Sequence, residues 1–164
     1  MSDASGVKEK IIGAMRATRG HDGQPSPIDA AGASVESLVA SAAHAGGDAQ
    51  GAATEAVEGA LHGAARVGVN ALDAVRAAAG AAVRGAAQAG GDVAGVAKSA
   101  IEGAVWGAKT LGVDAPEVAA AAATGALSAA ERLGPPASEE VARAATGVIG
   151  GVKVVVSDPS GAAR

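Results

Sequence analysis

The chain contains no cysteine, no phenylalanine and no tyrosine. Without cysteine there can be no disulfide, no thiolate-ligated zinc and no thiol nucleophile. One tryptophan is the entire aromatic complement, and only six leucines and five isoleucines occur among 164 residues. Large apolar side chains ordinarily supply most of a core's stabilisation, at roughly 1.5–3 kcal/mol each. A chain this short of them has to bury many small groups by bringing backbones close together. Long apolar runs are also missing. The longest stretch without a charge is Val118–Ala130, well short of the roughly 18 residues a membrane-spanning helix needs. Positive charge is scarce too: the net charge is −4, and the one basic cluster is Lys8, Lys10, Arg16 and Arg19. Nucleic-acid binders carry a basic face or stripe, so no nucleic-acid partner is expected. The segment Met1–Gly6 has an acid and no apolar core, which is not the pattern of a secretory signal. A cytoplasmic location is the default expectation.

What the chain does have is alanine above all, then 25 glycines and a large share of valine. Hydrophobic content this high with modest net charge is not the composition of a disordered chain. The residues are also ordered in a repeat. Ala56-Val57-Glu58-Gly59-Ala60-Leu61-His62-Gly63-Ala64 recurs as Ala100-Ile101-Glu102-Gly103-Ala104-Val105-Trp106-Gly107-Ala108, 44 residues later. Gly68-Val69-Asn70-Ala71 matches Gly112-Val113-Asp114-Ala115, and Ala45-Gly46-Gly47-Asp48 matches Ala89-Gly90-Gly91-Asp92, at the same offset. A third copy is fainter, with Gly147, Gly151, Lys153 and Asp158 falling 44 after Gly103, Gly107, Lys109 and Asp114. Compositional bias could align alanines, but not the acids, the amide and the paired glycines as well.

Each repeat reads as two helices. Ser26, Asn70 and Asp114 are good N-cap residues, and Asp29, Asp73 and Glu117 follow three positions on, the spacing of a capping box. Pro27 suits the first helical position. The first helices are predicted over 27–45, 71–89 and 115–133, ended by Gly46, Gly90 and Gly134. Asp48 and Asp92 are predicted to cap second helices over 49–67 and 93–111. A third second-helix is expected from Pro136–Glu139 to about Val152, with Val154-Val155-Val156 β-branched enough to leave the helix. Upstream, Val7–Thr18 reads as one further helix. Its Gly13-Ala14-Met15-Arg16 resembles Gly63-Ala64-Ala65-Arg66, so it is a candidate lone second helix. The expected fold is all-α: an N-terminal helix and linker over 1–26, helical hairpins over 27–70, 71–114 and 115–156, and a tail over 157–164. Connections of two to four residues make neighbours antiparallel, and about seven helices form a close-packed bundle or short solenoid.

Glycine inside a helix costs about 1 kcal/mol relative to alanine. Yet Gly59 and Gly63, Gly103 and Gly107, and Gly147 and Gly151 are predicted mid-helix, in pairs four apart. Such a pair shares one face and opens a groove for a second helix. The recurring Glu58, Arg66, Asp73, Arg76 and Arg84 place that packing against protein rather than lipid. End helices of a linear array lack a neighbour, and no polar cap is evident at the C-terminal end. These faces therefore predict a homo-oligomer or filament. Gly103→Leu or Gly147→Leu is expected to weaken it by about 1–3 kcal/mol each.

Candidate chemistry is thin. His21, His44 and His62 lie in separate segments, and no paired-histidine motif of a helical metal site appears. His62 is replaced by Trp106 in the next repeat, as a rim position tolerates and a catalytic one does not. Glu58 and Glu102 are equivalent and should form a ladder along one surface rather than converge. The glycine-rich turns lack phosphate-loop spacing. No catalytic, cofactor or metal residue is assigned. One amphipathic patch stands apart: Ile11 and Ile12 lie among Lys8, Lys10 and Arg16, suited to docking on the array, on a protein partner or on an anionic membrane or granule.

The motif E-G-A-x-x-G-A-K-x-x-G-V-D-A at Glu102–Ala115 resembles an Ala/Gly-rich family of uncharacterised bacterial proteins with tandem helical repeats, over about residues 27–156. The resemblance implies architecture and a bacterial source, and no activity. The period falls in the range of HEAT-like repeats, which are much richer in leucine. Phasins share the alanine content but lack the glycine pairing. The sequence thus points to a non-enzymatic assembly or partner-binding protein. The alternatives are a peripheral coat held by the N-terminal helix, or a carrier of an apolar small molecule near Trp106.

Overall fold

The computed structural model describes residues 3–18 and 22–156, with side chains from Gly6 onward. The expected tail, Arg19 and His21 lie outside these residues. The described residues form seven helices: α1 (Asp3–Ala17), α2 (Pro27–His44), α3 (Ala49–Val67), α4 (Ala71–Gln88), α5 (Val93–Leu111), α6 (Ala115–Leu133) and α7 (Pro135–Ala144). A two-stranded antiparallel hairpin follows, β1 (Gly147–Ile149) and β2 (Val152–Val154). The protein is all-α apart from that hairpin.

Helix starts follow the caps read from the sequence. The side chains of Ser26, Asp48, Asn70, Asp92 and Asp114 each accept a hydrogen bond from the backbone amide three residues on. The second helices of the first two repeats end at Gly68 and Gly112 in the left-handed conformation, φ 77° and 72°. There the amides of Val69 and Val113 reach back to the carbonyls of Ala64 and Ala108.

The helices form two layers. The even helices α2, α4 and α6 pack side by side in one, and α1, α3 and α5 in the other, with α7 beside α5. Short antiparallel hairpins connect the layers, so helices within a layer run parallel. A continuous core of alanine and valine fills the space between them, with Ile11, Met15, Leu61, Ile101, Leu127 and Ile149 as its few large members.

Within each layer the approach is backbone to backbone. A Cβ at Gly59 would lie 3.0 Å from the carbonyl oxygen of Lys8, and one at Gly85 would lie 2.5 Å from that of Glu36. Gly103 meets Thr54 and Gly125 meets Arg76 in the same way, more closely still. Every same-layer pair from α1·α3 to α4·α6 thus has one glycine seated on a carbonyl of the helix two before it. Gly85 on Glu36, Gly103 on Thr54 and Gly125 on Arg76 share one sequence offset, five positions longer than the repeat. Each helix is therefore slid by about 7.5 Å along its axis relative to its equivalent in the neighbouring repeat. Gly63 and Gly107 extend the groove one turn further, against Met15 and Leu61.

Three expectations need correction. First, Gly59, Gly63, Gly103 and Gly107 do not offer faces to another molecule, because the chain's own preceding helix fills them. Gly103→Leu would collide with Thr54 inside the fold rather than dissociate copies. Second, the third repeat does not complete its second helix. α7 stops at Ala144, and Gly147 and Gly151 lie in the hairpin with φ of 119° and 85°. Val148, Ile149, Val152 and Val154–Val156 favour extended backbone over helix. The hairpin turns Ile149, Val152 and Val154 inward and covers part of the C-terminal end that seemed uncapped. Third, α1 is one helical turn from the register its motif suggests. Ile12 and Met15 meet Gly63 as Glu58 and Leu61 meet Gly107, so Gly13 corresponds to Gly59 and not to Gly63.

The glycines therefore divide into two kinds. Gly103→Ala and Gly125→Ala should lose about 1–2 kcal/mol in urea unfolding, overpacking outweighing the gain in helix propensity. Gly13→Ala and Gly32→Ala, where a Cβ meets nothing within 4 Å, should gain about 0.5–1 kcal/mol. Equal effects at all four positions would disprove the seating of helices on glycine.

Candidate functional site

The polar residues of the repeat are spent mostly beside the glycine contacts. Lys8 Nζ lies 2.7 Å from Glu58 Oε1, bridging α1 and α3 next to Gly59. Arg84 Nε lies 2.9 Å from Glu36 Oε2, bridging α2 and α4 next to Gly85, and Gln88 donates to the other oxygen of Glu36. Thr54 Oγ1 donates to the Ser99 carbonyl across α3 and α5 at 3.0 Å. At these three seams the residue whose carbonyl meets a glycine also uses its side chain across the same seam.

Among the described residues, the two groups with displaced titration lie at the α1–α3 seam. His62 projects one turn beyond Glu58, with Nε2 3.9 Å from Glu58 Oε1. Its Nε2 is buried and has no hydrogen-bond partner among the described residues. Burial first, then the Lys8 ammonium, hold the imidazole below its ordinary range, against the pull of Glu58. Glu55 is displaced the other way: burial and the Glu58 carboxylate push it up, against Lys8. Glu55 also borders an apolar cleft with Val7, Leu38 and Ala52. Chemically this seam is a helix-to-helix latch with a neutral imidazole at its edge.

The basic amphipathic patch proves to be a docked end of the array. Ile11, Ile12 and Met15 are buried against α3, and Lys8 is engaged by Glu58. Only Lys10 and Arg16 of that patch stay exposed. Asp48 is occupied in capping α3, its carboxylate accepting from Gly51. No helix among the described residues is long and apolar enough to cross a membrane.

Apolar exposure is concentrated late in the chain. Among the described residues, the large hydrophobic ones left exposed are Trp106, Leu111, Val113, Leu133, Val148 and Val155. Trp106 is 52% exposed, whereas its repeat equivalent His62 has a side chain only 11% exposed. The difference lies in the neighbouring helix. α3 is flanked by the full length of α5, but α7, beside α5, ends after 10 residues. The far end of α5 is covered only by the hairpin turn, where Gly150 rests on Val105 and Lys109 Nζ donates to the Gly150 carbonyl at 2.6 Å. Trp106 also lies away from a groove of about 360 Å³ that crosses α2, α4 and α6.

Sequence reasoning missed Gly85 and Gly125, which seat α4 and α6. The repeat alignment sets Gly85 opposite Ala129 and Gly125 opposite Ala81, so it pairs neither with a glycine. The signal available was a glycine in the interior of each alanine-rich even helix. No protein-family model matches the chain, and no curated protein matches it either. The resemblance to Ala/Gly-rich repeat proteins therefore rests on its motif alone.

The latch gives stability opposite pH slopes. Because the folded state holds His62 below its ordinary 6.5, the unfolded chain takes up the proton first and stability falls as pH drops through that value. Because Glu55 is held above its ordinary 4.5, stability falls as pH rises from there. His62→Gln should flatten the loss of Tm between about pH 7 and pH 5.5, and Glu55→Gln should raise Tm at pH 7. A parental pH profile in His62→Gln would show that another group controls the acid limb.

Proposed function

We propose that this chain is a non-enzymatic helical-repeat protein that works by association, and that a second copy docks on its C-terminal end. The observation that carries the reading is the half-exposed Trp106 beside the interrupted third repeat. Trp106, Leu111 and Val113 are exposed along the end of α5 and in the turn after it, and the hairpin carrying exposed Val148 rests beside Trp106 through Gly150. Tryptophan is enriched among residues that dominate binding energy at interfaces.

The opposite end of the array favours a like-to-like contact. Where α4 turns buried Ala78, Ala81 and Gly85 toward α2, the equivalent and unpartnered positions of α2 are Ser34, Ser37 and Ser41. On α1, exposed Lys10 stands where α3 has buried Ala56. Seating the apolar end on these hydroxyls and that ammonium would strip them of water without replacing their hydrogen bonds. An apolar end meeting its own copy has no such cost, and a two-fold contact closes as a dimer. Exposed Glu139, Glu140 and Arg143 on α7 supply both signs of charge at the rim, which a two-fold axis can pair. The coat alternative needs α1 to turn outward the face that it buries against α3.

Light scattering coupled to size exclusion over about a hundredfold dilution tests the reading. The parent is expected as a dimer that weakens on dilution, and Trp106→Glu with Val148→Asp as a folded monomer. A parental monomer at every concentration would refute self-association. Species that grow without limit would refute the closed, like-to-like geometry.

A further inference from the structure

We infer that the groove across α2, α4 and α6 binds a small organic monoanion, its carboxylate held between Arg84 and Arg132. Three observations carry this. The groove is a built depression: Gly32, Gly80 and Gly125 lie along it, one from each helix. A Cβ at Gly32 would enter empty space, whereas those at Gly80 and Gly125 would meet backbone. Glycine thus both joins the layer and hollows its outer face. The volume of about 360 Å³ falls within the range of small-molecule sites.

The arginines break the repeat. Arg84 corresponds to Ala40 and Ser128, and Arg132 to His44 and Gln88. A purely structural ladder would recur at equivalent positions. These two instead come from different positions, and the stagger brings them together. The offset that seats Gly125 on Arg76 also sets Arg132 beside Val83 and Arg84, so two guanidinium groups border the groove at one height.

Their partners differ. Arg84 is anchored through Nε to Glu36, which leaves its terminal nitrogens as donors. Arg132 makes no ion pair or side-chain hydrogen bond among the described residues. An anchored guanidinium beside a free one is an arrangement that a carboxylate can bridge with charge-assisted hydrogen bonds. Asp29 and Asp73 border the same groove nearer the helix starts. Arg76, the third arginine of the groove, neutralises Asp73, its Nη1 lying 2.7 Å from Asp73 Oδ1. Asp29 makes no ion pair among the described residues and opposes a second negative charge on the ligand, which favours a monoanion over a phosphate dianion. Ile28, Ala33 and Ala77 give its body an apolar surface.

The test is amide chemical-shift mapping of the full chain with butyrate, benzoate, inorganic phosphate and butylammonium at constant ionic strength. Saturable shifts confined to residues 28–33, 76–84 and 125–132 are expected with the carboxylates. Arg132→Gln should weaken them at least about tenfold, and the charge-matched control Lys98→Gln should not. Arg132 is exposed and without a partner, so its variant should keep the parental circular dichroism and melting. Shifts that do not saturate by about 50 mM, that chloride reproduces, that phosphate alone elicits, or that survive Arg132→Gln would overturn the assignment. Monomeric protein would leave the readout intact, so this inference and the dimer fail separately.

Discussion

The seating of a glycine on a carbonyl of the parallel helix two before it governs the rest of the structure. The contact removes the side-chain layer that usually separates helices, so the interface is made of backbone, alanine methyls and valine branches. Close approach increases the number of atoms in dispersion contact and permits Cα–H···O geometry. That is how a chain with eleven leucines and isoleucines and one tryptophan can build a continuous core. The interface is also intolerant: an added methyl at Gly103 or Gly125 has backbone directly in its path. A carbonyl cannot swing aside as the end of a flexible side chain can.

The same contact sets the register, and the register sets the surface. A stagger of five positions at each step means that repeat-equivalent residues do not face one another. Ion pairs therefore form between non-equivalent positions, Lys8 with Glu58 and Glu36 with Arg84, each beside its own glycine. These pairs are partly exposed and contribute little to stability one by one. Their placement at the seams suits them better to fixing which turn of one helix meets which turn of the next. A one-turn slip would separate the ions and lift the glycine off its carbonyl together.

Local chemistry was legible from the sequence and long-range register was not. All five N-caps and the bounds of α2 to α6 could be read, within a residue or so, because a cap is decided within three residues of itself. The assignment of Gly59 and Gly103 to close packing was right in kind. What they pack against was not legible, since periodicity shows that faces are small without saying which neighbour fills them. The two-residue displacement of α1 depends on its longer connection to α2. That displacement is what makes Gly13 the equivalent of Gly59, a relation no local motif displays. In the third repeat, Gly147 and Gly151 keep the repeat's spacing, but the chain's own preferences there are not helical. Val148, Ile149, Val152 and Val154 to Val156 are β-branched residues set about glycines, and that local preference sets the hairpin.

Departures from the repeat locate function better than the repeat itself. A residue that recurs in every copy recurs because each copy needs it to fold, so its presence carries no information about a partner. The informative positions are those where equivalent residues meet unequal surroundings. His62 and Trp106 occupy one repeat position, yet one is covered by α5 and the other is left half open by the short α7. Ser34, Ser37 and Ser41 stand where alanine and glycine stand in α4, on a face of α2 that no helix of its layer covers. Arg84 and Arg132 have no counterparts in the other copies and are brought level only by the stagger. In an array joined by glycine, folding accounts for the small residues. Among the large and charged residues that break the pattern, Trp106 and Arg132 stay exposed.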